Sequence, residues 1–158
     1  MNSIDAELNK LISYAGEGGE LKLEAVEALV SAKLENRIFD MMEALGHRDR
    51  RTALALYDEL LQLKESPMKI LVLLTRQFNL LLQTKILQER GAGPAQMTEM
   101  LGLKSGWVTG KYIQQAKMFS DQQLREAVED CAKTDERIKT GLLDQTMGVE
   151  LLLIRYSR

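Results

Sequence analysis

The segment 67–90, PMKILVLLTRQFNLLLQTKILQER, constrains the fold more than any other stretch of this chain. Its one proline stands at its start and it contains no glycine, so nothing interrupts a helix about 36 Å long at ~1.5 Å per residue. Apolar residues fall on nearly every side of that helix, with a polar insert, Arg76-Gln77, near its middle. A helix this apolar must be buried around most of its circumference. The closing run GVELLLIRY (148–156), reached through DERIKTGLLDQ (135–145), reads as its principal packing partner. Together they predict an all-α domain built for packing and assembly, and neither segment resembles a reaction site.

Composition agrees. The prominent residues are Leu, Ala, Glu, Lys, Gln and Met, the good helix formers, and only Pro67 and Pro94 interrupt. With 158 residues, 45% of them hydrophobic, the chain can build one core, or one core and a piece of another. Charged residues make up 28% and the net charge is −2, which excludes a bulk cationic field for nucleic acid or anionic lipid. The one cysteine, Cys131, excludes an intramolecular disulfide and a cysteine-rich metal site. Its setting, AVEDCAKT, predicts a small buried hydrophobe rather than a reactive thiol, and a reducing cytoplasm fits. The start, MNSIDAELNK, is polar and helical in pattern rather than a signal peptide. The run Ile70–Leu82 is broken by Arg76, Gln77 and Asn79 and is too short to span a bilayer, so no membrane partner is expected.

Eight or nine helices are expected. The first covers about 2–14, with Leu8, Leu11 and Ile12 on one face, and GEGGE (16–20) follows as a flexible turn. Residues 21–33 read as a short extended lead-in and a small helix, and Ile38–Leu45 as a separate helix stopped by Gly46. A helix at about 49–63 returns antiparallel across the short connection GHRDR. Ser66-Pro67 opens the long helix, since proline at the first helical position loses no hydrogen bond. Gly91–Gly93 ends it. Residues 94–101 and 105–118 form two shorter helices around Gly102. Ser120 caps the next with Gln123 at capping-box spacing, Gly141 breaks it near Thr140, and the last helix covers about 145–156. A lone helix and a GEGGE turn bury little by themselves, so residues 1–35 read as the tail of a preceding domain.

Four features invite functional readings. Residues 94–117 have the helix–glycine turn–helix outline of a DNA-binding motif, with Lys104, Lys111, Gln114, Gln115 and Lys117 on the second helix. Residues 94–118 hold three lysines and one glutamate, which is thin for phosphate-driven affinity. Trp107, Val108, Tyr112 and Ile113 are apolar enough to call for burial, so packing is the simpler reading. The turn HRDRR (47–51) carries Arg48, Arg50 and Arg51, which could meet phosphate or a partner's carboxylates. The simpler account is a solvated turn with Asp49 as helix cap. Arg76, if buried, needs a carboxylate such as Asp135, Glu136 or Glu150, within the chain or across a subunit boundary. Lys139, Thr140 and Gly141 read as a structural helix end. His47 is the only histidine, and no phosphate-binding glycine motif or isolated carboxylate pair occurs, so neither a cofactor, a metal nor catalysis is expected.

Taken in order, four segments resemble the C-terminal part of the delta subunit of bacterial DNA polymerase III, a clamp-loader subunit. They are NRIFDMMEALGHRDRRTALALYDELL (36–61), SPMKILVLLTRQFNLLLQTKIL (66–87), MLGLKSGWVTGKYIQQAKMFS (100–120) and DERIKTGLLDQTMGVELLLIRY (135–156). Residues 1–35 are similar to the end of that family's small helical lid domain, and 36–158 to its C-terminal helical collar domain. The resemblance implies a non-catalytic assembly element of the bacterial replisome, which supports loading of the sliding clamp. The implied partners are gamma/tau-type and delta-prime-type subunits, met through the collar. The sliding clamp would be met only through an N-terminal module outside this chain, DNA weakly or indirectly, and the chain alone would be a monomer. The competing reading is a helix-turn-helix DNA-binding regulator using residues 94–118.

Overall fold

The computed structural model describes the backbone of residues 19–158 and the side chains from residue 33 onward. The helix expected at 2–14 lies outside the described residues. Seven helices and no strand occur among those described: α1 (Gly19–Gly46), α2 (Arg50–Gln62), α3 (Pro67–Glu89), α4 (Pro94–Leu101), α5 (Gly106–Ala116), α6 (Asp121–Lys139) and α7 (Gln145–Tyr156). The chain divides into two compact units, residues 1–37 and 38–158. Apart from the part of α1 before residue 38, the features that follow belong to the second.

Where a lead-in and two short helices were expected over 21–45, α1 is one continuous helix that already includes Gly19 and Glu20. Nothing between them and Gly46 forces a break: the stretch has no proline or glycine and is rich in Leu, Ala and Glu. Its buried residues Ile38, Met41, Met42 and Leu45 recur at helical spacing. Gly46 ends it under close packing, because a Cβ there would meet Met118 Cβ at 2.9 Å.

Helix α3 is the centre. Ile70, Leu71, Leu74, Phe78 and Leu81 are all buried. It packs most extensively on α6, then on α5, and less on α7. The last helix is therefore not its main partner, contrary to the sequence expectation. The reason lies on α6, where Ala127 and Cys131, one turn apart and both fully buried, let the helix backbones approach closely. Helix α7 divides its contacts among α2, α6 and α3. The Tyr57 hydroxyl of α2 donates to the Thr146 carbonyl at 2.8 Å, tying α2 to the start of α7. Phe78 meets Phe119 edge-on at 6.2 Å and Tyr156 at 5.6 Å, joining α3 to the residues after α5 and to the C-terminal helix. Each large apolar side chain buried this way contributes roughly 1.5–3 kcal/mol. By length and composition α3 could cross a bilayer. Its buried face, with Ile70, Leu71, Leu74, Phe78 and Leu81, packs against other helices of the same unit.

The helix starts follow the sequence closely. Asp49, Ser105, Ser120 and Asp144 each accept a first-turn backbone N–H, and Ser120 with Gln123 completes a capping box. Pro67 and Pro94 open α3 and α4. Five helices end in the same device: a left-handed residue whose N–H, with that of its successor, satisfies the last carbonyls. Gly91, Gly102 and Gly141 fill three of these positions, at φ of 83°, 66° and 77°. Arg48 (φ 59°) and Lys64 (φ 63°) fill the other two without the glycine the geometry favours.

Candidate functional site

The most organised polar feature lies where the last turns of α1 run beside α5. Gln115, fully buried, accepts from the Gln77 amide at 2.9 Å. Its own amide nitrogen donates to the Phe39 carbonyl at 3.2 Å and to Glu43 Oε1 at 3.0 Å. One side chain thus links α1, α3 and α5. Its place in the sequence explains why: with Ala116 and Thr109 it forms the inward face of α5, where an apolar residue was the simpler choice. Glu43 also lies 3.6 Å from His47 Nε2, so the network reaches the surface at the α1–α2 turn. Above the network, Phe39 stacks with Tyr112 at 6.0 Å. Lys111 Nζ sits 4.6 Å from the centres of both the Phe39 and Trp107 rings. Phe39, Glu43, Trp107, Gly110, Lys111 and Gln114 line an open groove of about 530 Å³.

The structure separates the two residues of the polar insert. Gln77 is buried at 7% exposure, whereas Arg76 is exposed. The expectation of a buried arginine is therefore corrected: the interior polar group is the neutral amide, which has a partner at lower desolvation cost than a charge would have. On a helix apolar all round, periodicity does not say which of two adjacent residues faces in. Trp107 corrects a second expectation, since it is 73% exposed rather than buried. Val108, Tyr112 and Ile113 are half-buried.

Arg48, Arg50 and Arg51 are exposed on the α1–α2 turn and the first turn of α2, and the structure does not bring them to Arg76 or Gln77 through any described contact. Asp49 beside them caps α2, accepting from Thr52 N at 3.1 Å, and its hydrogen bonds to Thr52 hold its carboxyl below the usual range. At the other end, Lys139 pairs with Asp135 at 2.9 Å, and the Thr140 hydroxyl donates to the Glu136 carbonyl at 2.9 Å. Gly141 takes the left-handed turn, so this trio closes α6 onto itself. The helix-turn-helix outline of 94–117 is held by a Thr98–Thr109 hydroxyl pair at 2.5 Å, and its Lys111 is engaged by aromatic rings.

Burial pushes the Cys131 thiol up to about 11, and burial also raises the Tyr57 and Tyr156 hydroxyls. Tyr156 donates to Asp130, which Arg155 also meets at 3.1 Å, a group that anchors α7 on α6. Among the described residues, no three His, Cys, Asp or Glu side chains gather to hold a metal ion. The exposed large apolar residues are instead Leu63, Val72, Met100, Trp107 and a group on or before α7: Leu142, Met147 and Leu151. Gln115 was counted from sequence among the polar residues that the second helix of the DNA-binding outline could offer, and its full burial corrects that reading; neither its role as hub nor the exposure of Trp107 was expected. The only available signals were a glutamine on the apolar face of α5 and the chain's single tryptophan.

Comparison with known proteins places the chain in a family. Residues 35–156 match the family model described as the DNA polymerase III delta subunit, C-terminal domain. The chain is 35% identical over 155 residues to DNA polymerase III subunit delta of Bacillus subtilis (strain 168), covering 98% of this chain and 44% of that protein. It is 27% identical over 130 residues to the probable DNA polymerase III subunit delta of Aquifex aeolicus (strain VF5), covering 82% and 37%. Among solved structures, the Bacillus subtilis DNA clamp loader delta protein (YqeN) superposes with a TM-score of 0.77 at 34% identity, over 99% of this chain and 46% of that one. The chain thus spans less than half the length of these relatives. A family model covering most of the chain, a relative at this identity and an all-helical fold that superposes on a clamp-loader delta protein agree, and the chain belongs to the DNA polymerase III delta subunit family, matching its C-terminal domain.

Proposed function

We propose that this chain is the assembly region of a clamp-loader delta subunit: residues 36–158 join the collar that holds the loader together, and residues 1–35 are the end of the lid domain. The observation that carries this reading is the family match over residues 35–156, which covers nearly all of the second compact unit. Exposed apolar side chains on that unit, Met100, Val72, Leu142, Met147 and Leu151 among them, are the kind of surface a subunit boundary covers. The partners are the gamma/tau-type and delta-prime-type subunits of the bacterial replisome, in the cytoplasm. In this role the chain works without catalysis or cofactor, by fixing the position of neighbours while other parts of the loader act on the sliding clamp. Arg48, Arg50, Arg51 and Arg76, all exposed, are candidates for charged contacts at a subunit boundary. Gln77 acts from inside by holding Gln115.

Co-purification with the other clamp-loader subunits tests the reading, beside a fluorescent duplex-DNA titration at two salt concentrations. Stable co-elution without tight duplex binding is expected. Salt-sensitive, sub-micromolar duplex binding without co-elution would overturn the proposal and favour a helix-turn-helix regulator.

A further inference from the structure

Apolar packing alone leaves the rotation of α3 open. Ile70, Leu71, Leu74, Phe78 and Leu81 are buried, yet Leu73, Leu80, Leu82 and Leu87 flank them half-buried on both sides. Consecutive residues stand about 100° apart around a helix, so turning α3 by a fraction of that step would trade one leucine for another. Volume-conserving exchanges of this kind cost a core little. Shape fixes α5 no better. Its fully buried side chains are Thr109, Gln115 and Ala116, and none is a large apolar group.

Gln77 and Gln115 differ from these because their contacts have direction. The Gln77 amide donates to Gln115 Oε1 at 2.9 Å, and Gln115 Nε2 donates onward to the Phe39 carbonyl and to Glu43. Turning α3 or sliding α5 by one residue would break this relay and strand a buried amide, whose desolvation is then uncompensated. Among the described residues no buried side-chain nitrogen or oxygen lacks a partner, so the observed seat is one in which the relay is whole. Thr84, the other buried polar residue of α3, makes the contrast. Its hydroxyl donates to the Leu80 carbonyl of the same helix at 2.7 Å, a bond that survives any rotation. We propose that the Gln77–Gln115 pair is a register lock. It selects one rotation of α3 and one seat of α5 from several that apolar packing would accept, and so keeps Arg76, the adjacent residue, on the surface. A single buried polar group sets register in helical assemblies in the same way, at some cost in stability. The inference concerns the fold alone and stands apart from the assembly reading.

Changing both partners removes the lock without stranding a buried group, because Glu43 can turn to water and the Phe39 carbonyl keeps its partner within α1. The test is Gln77→Leu with Gln115→Leu, repeated with methionine at both positions to keep side-chain length, in proton–nitrogen correlation spectra of the whole chain. Gly110 and the indole of Trp107, the only tryptophan, report on α5. Both double variants should keep their helical circular dichroism and a cooperative urea transition. The α5 cross-peaks should nevertheless split or broaden, and amide exchange in α5 should speed up about tenfold relative to α2. Thr84→Val, which removes a buried hydroxyl bonded within its own helix, should leave a single set of cross-peaks. One sharp set in both double variants, with α5 exchange unchanged relative to α2, would overturn the proposal. So would equal splitting in Thr84→Val, or loss of cooperative folding in both double variants, which would assign the pair to stability alone. None of these outcomes bears on co-elution with clamp-loader subunits, so the two readings fail separately.

Discussion

Replacing Gln115 by leucine keeps roughly the same volume and removes the polar junction of α1, α3 and α5. Three hydrogen bonds go, at 2.9, 3.2 and 3.0 Å. Each contributes about 1 kcal/mol net, and stranding the buried Gln77 amide adds about 1–3 kcal/mol more, while the Phe39 carbonyl keeps its partner within α1. Glu43, with its side chain 32% exposed, can turn to water and adds little. Burial of the new methyl groups returns about 1 kcal/mol. The expected loss is therefore about 2–4 kcal/mol for Gln115→Leu. For Gln77→Leu one bond is lost and one buried acceptor stranded, and the expected loss is about 1–3 kcal/mol. In the double variant neither amide strands the other, so its loss should fall short of the sum by about 1 kcal/mol or more. Urea unfolding followed by circular dichroism, with unchanged slope, measures all three. Additive behaviour within about 0.3 kcal/mol, or a Gln115→Leu loss below about 0.5 kcal/mol, would refute the idea that these glutamines form one coupled network.

Other substitutions test separate parts of the account. Lys64→Gly relieves a left-handed residue at φ 63° and should stabilise by about 0.5–1 kcal/mol, raising the melting temperature by roughly 2–4 °C; an unchanged or lower value counts against strain there. Gly46→Ala places a Cβ 2.9 Å from Met118 Cβ, and should cost about 1–3 kcal/mol in the same urea assay; a neutral result would mean α1 and the residues after α5 pack less closely than described. Burial raises the Cys131 thiol from 9.0 to about 11, so the folded state holds that proton more tightly than the unfolded chain does. The stability this adds is complete below pH about 9 and is lost as pH rises through about 11. Below that range, alkylation of Cys131 by iodoacetamide should proceed only as fast as the fold opens, and labelling at the rate of a free thiol in native buffer would contradict its burial.

Helix starts were the most legible part of this fold. Asp49, Ser120, Pro67 and Pro94 carry local chemistry that leaves few alternatives, and α4 and α7 begin and end where the sequence suggested. Glycine-marked ends were equally readable at Gly91, Gly102 and Gly141. Arg48 and Lys64 adopt the same left-handed geometry without a glycine to announce it, because the motif's hydrogen bonds outweigh the cost at a single residue. Helix α1 reads from sequence as a lead-in and small helix over 21–33 and a separate helix over Ile38–Leu45. The structure joins the pieces, since nothing in that stretch opposes helix. The choice between Arg76 and Gln77 was not legible, because on a helix with apolar residues all round the inward face is set by neighbours rather than by pattern. The Gln115 hub depends on Phe39, Glu43 and Gln77, residues 38 to 76 positions away, and no local signal joins them. The exposure of Trp107 reverses the usual rule for a large aromatic, and a single sequence offers no reason to expect it.

Reconstitution of the clamp loader tests the central claim most directly. The remaining subunits would be mixed with this chain, or left without it, and resolved by size-exclusion chromatography. The assembly account predicts that this chain enters the complex in fixed proportion, and that Arg48, Arg50 and Arg51 changed together to Glu weaken its entry without altering its circular dichroism. A chain that elutes alone beside an otherwise complete mixture of subunits would contradict it.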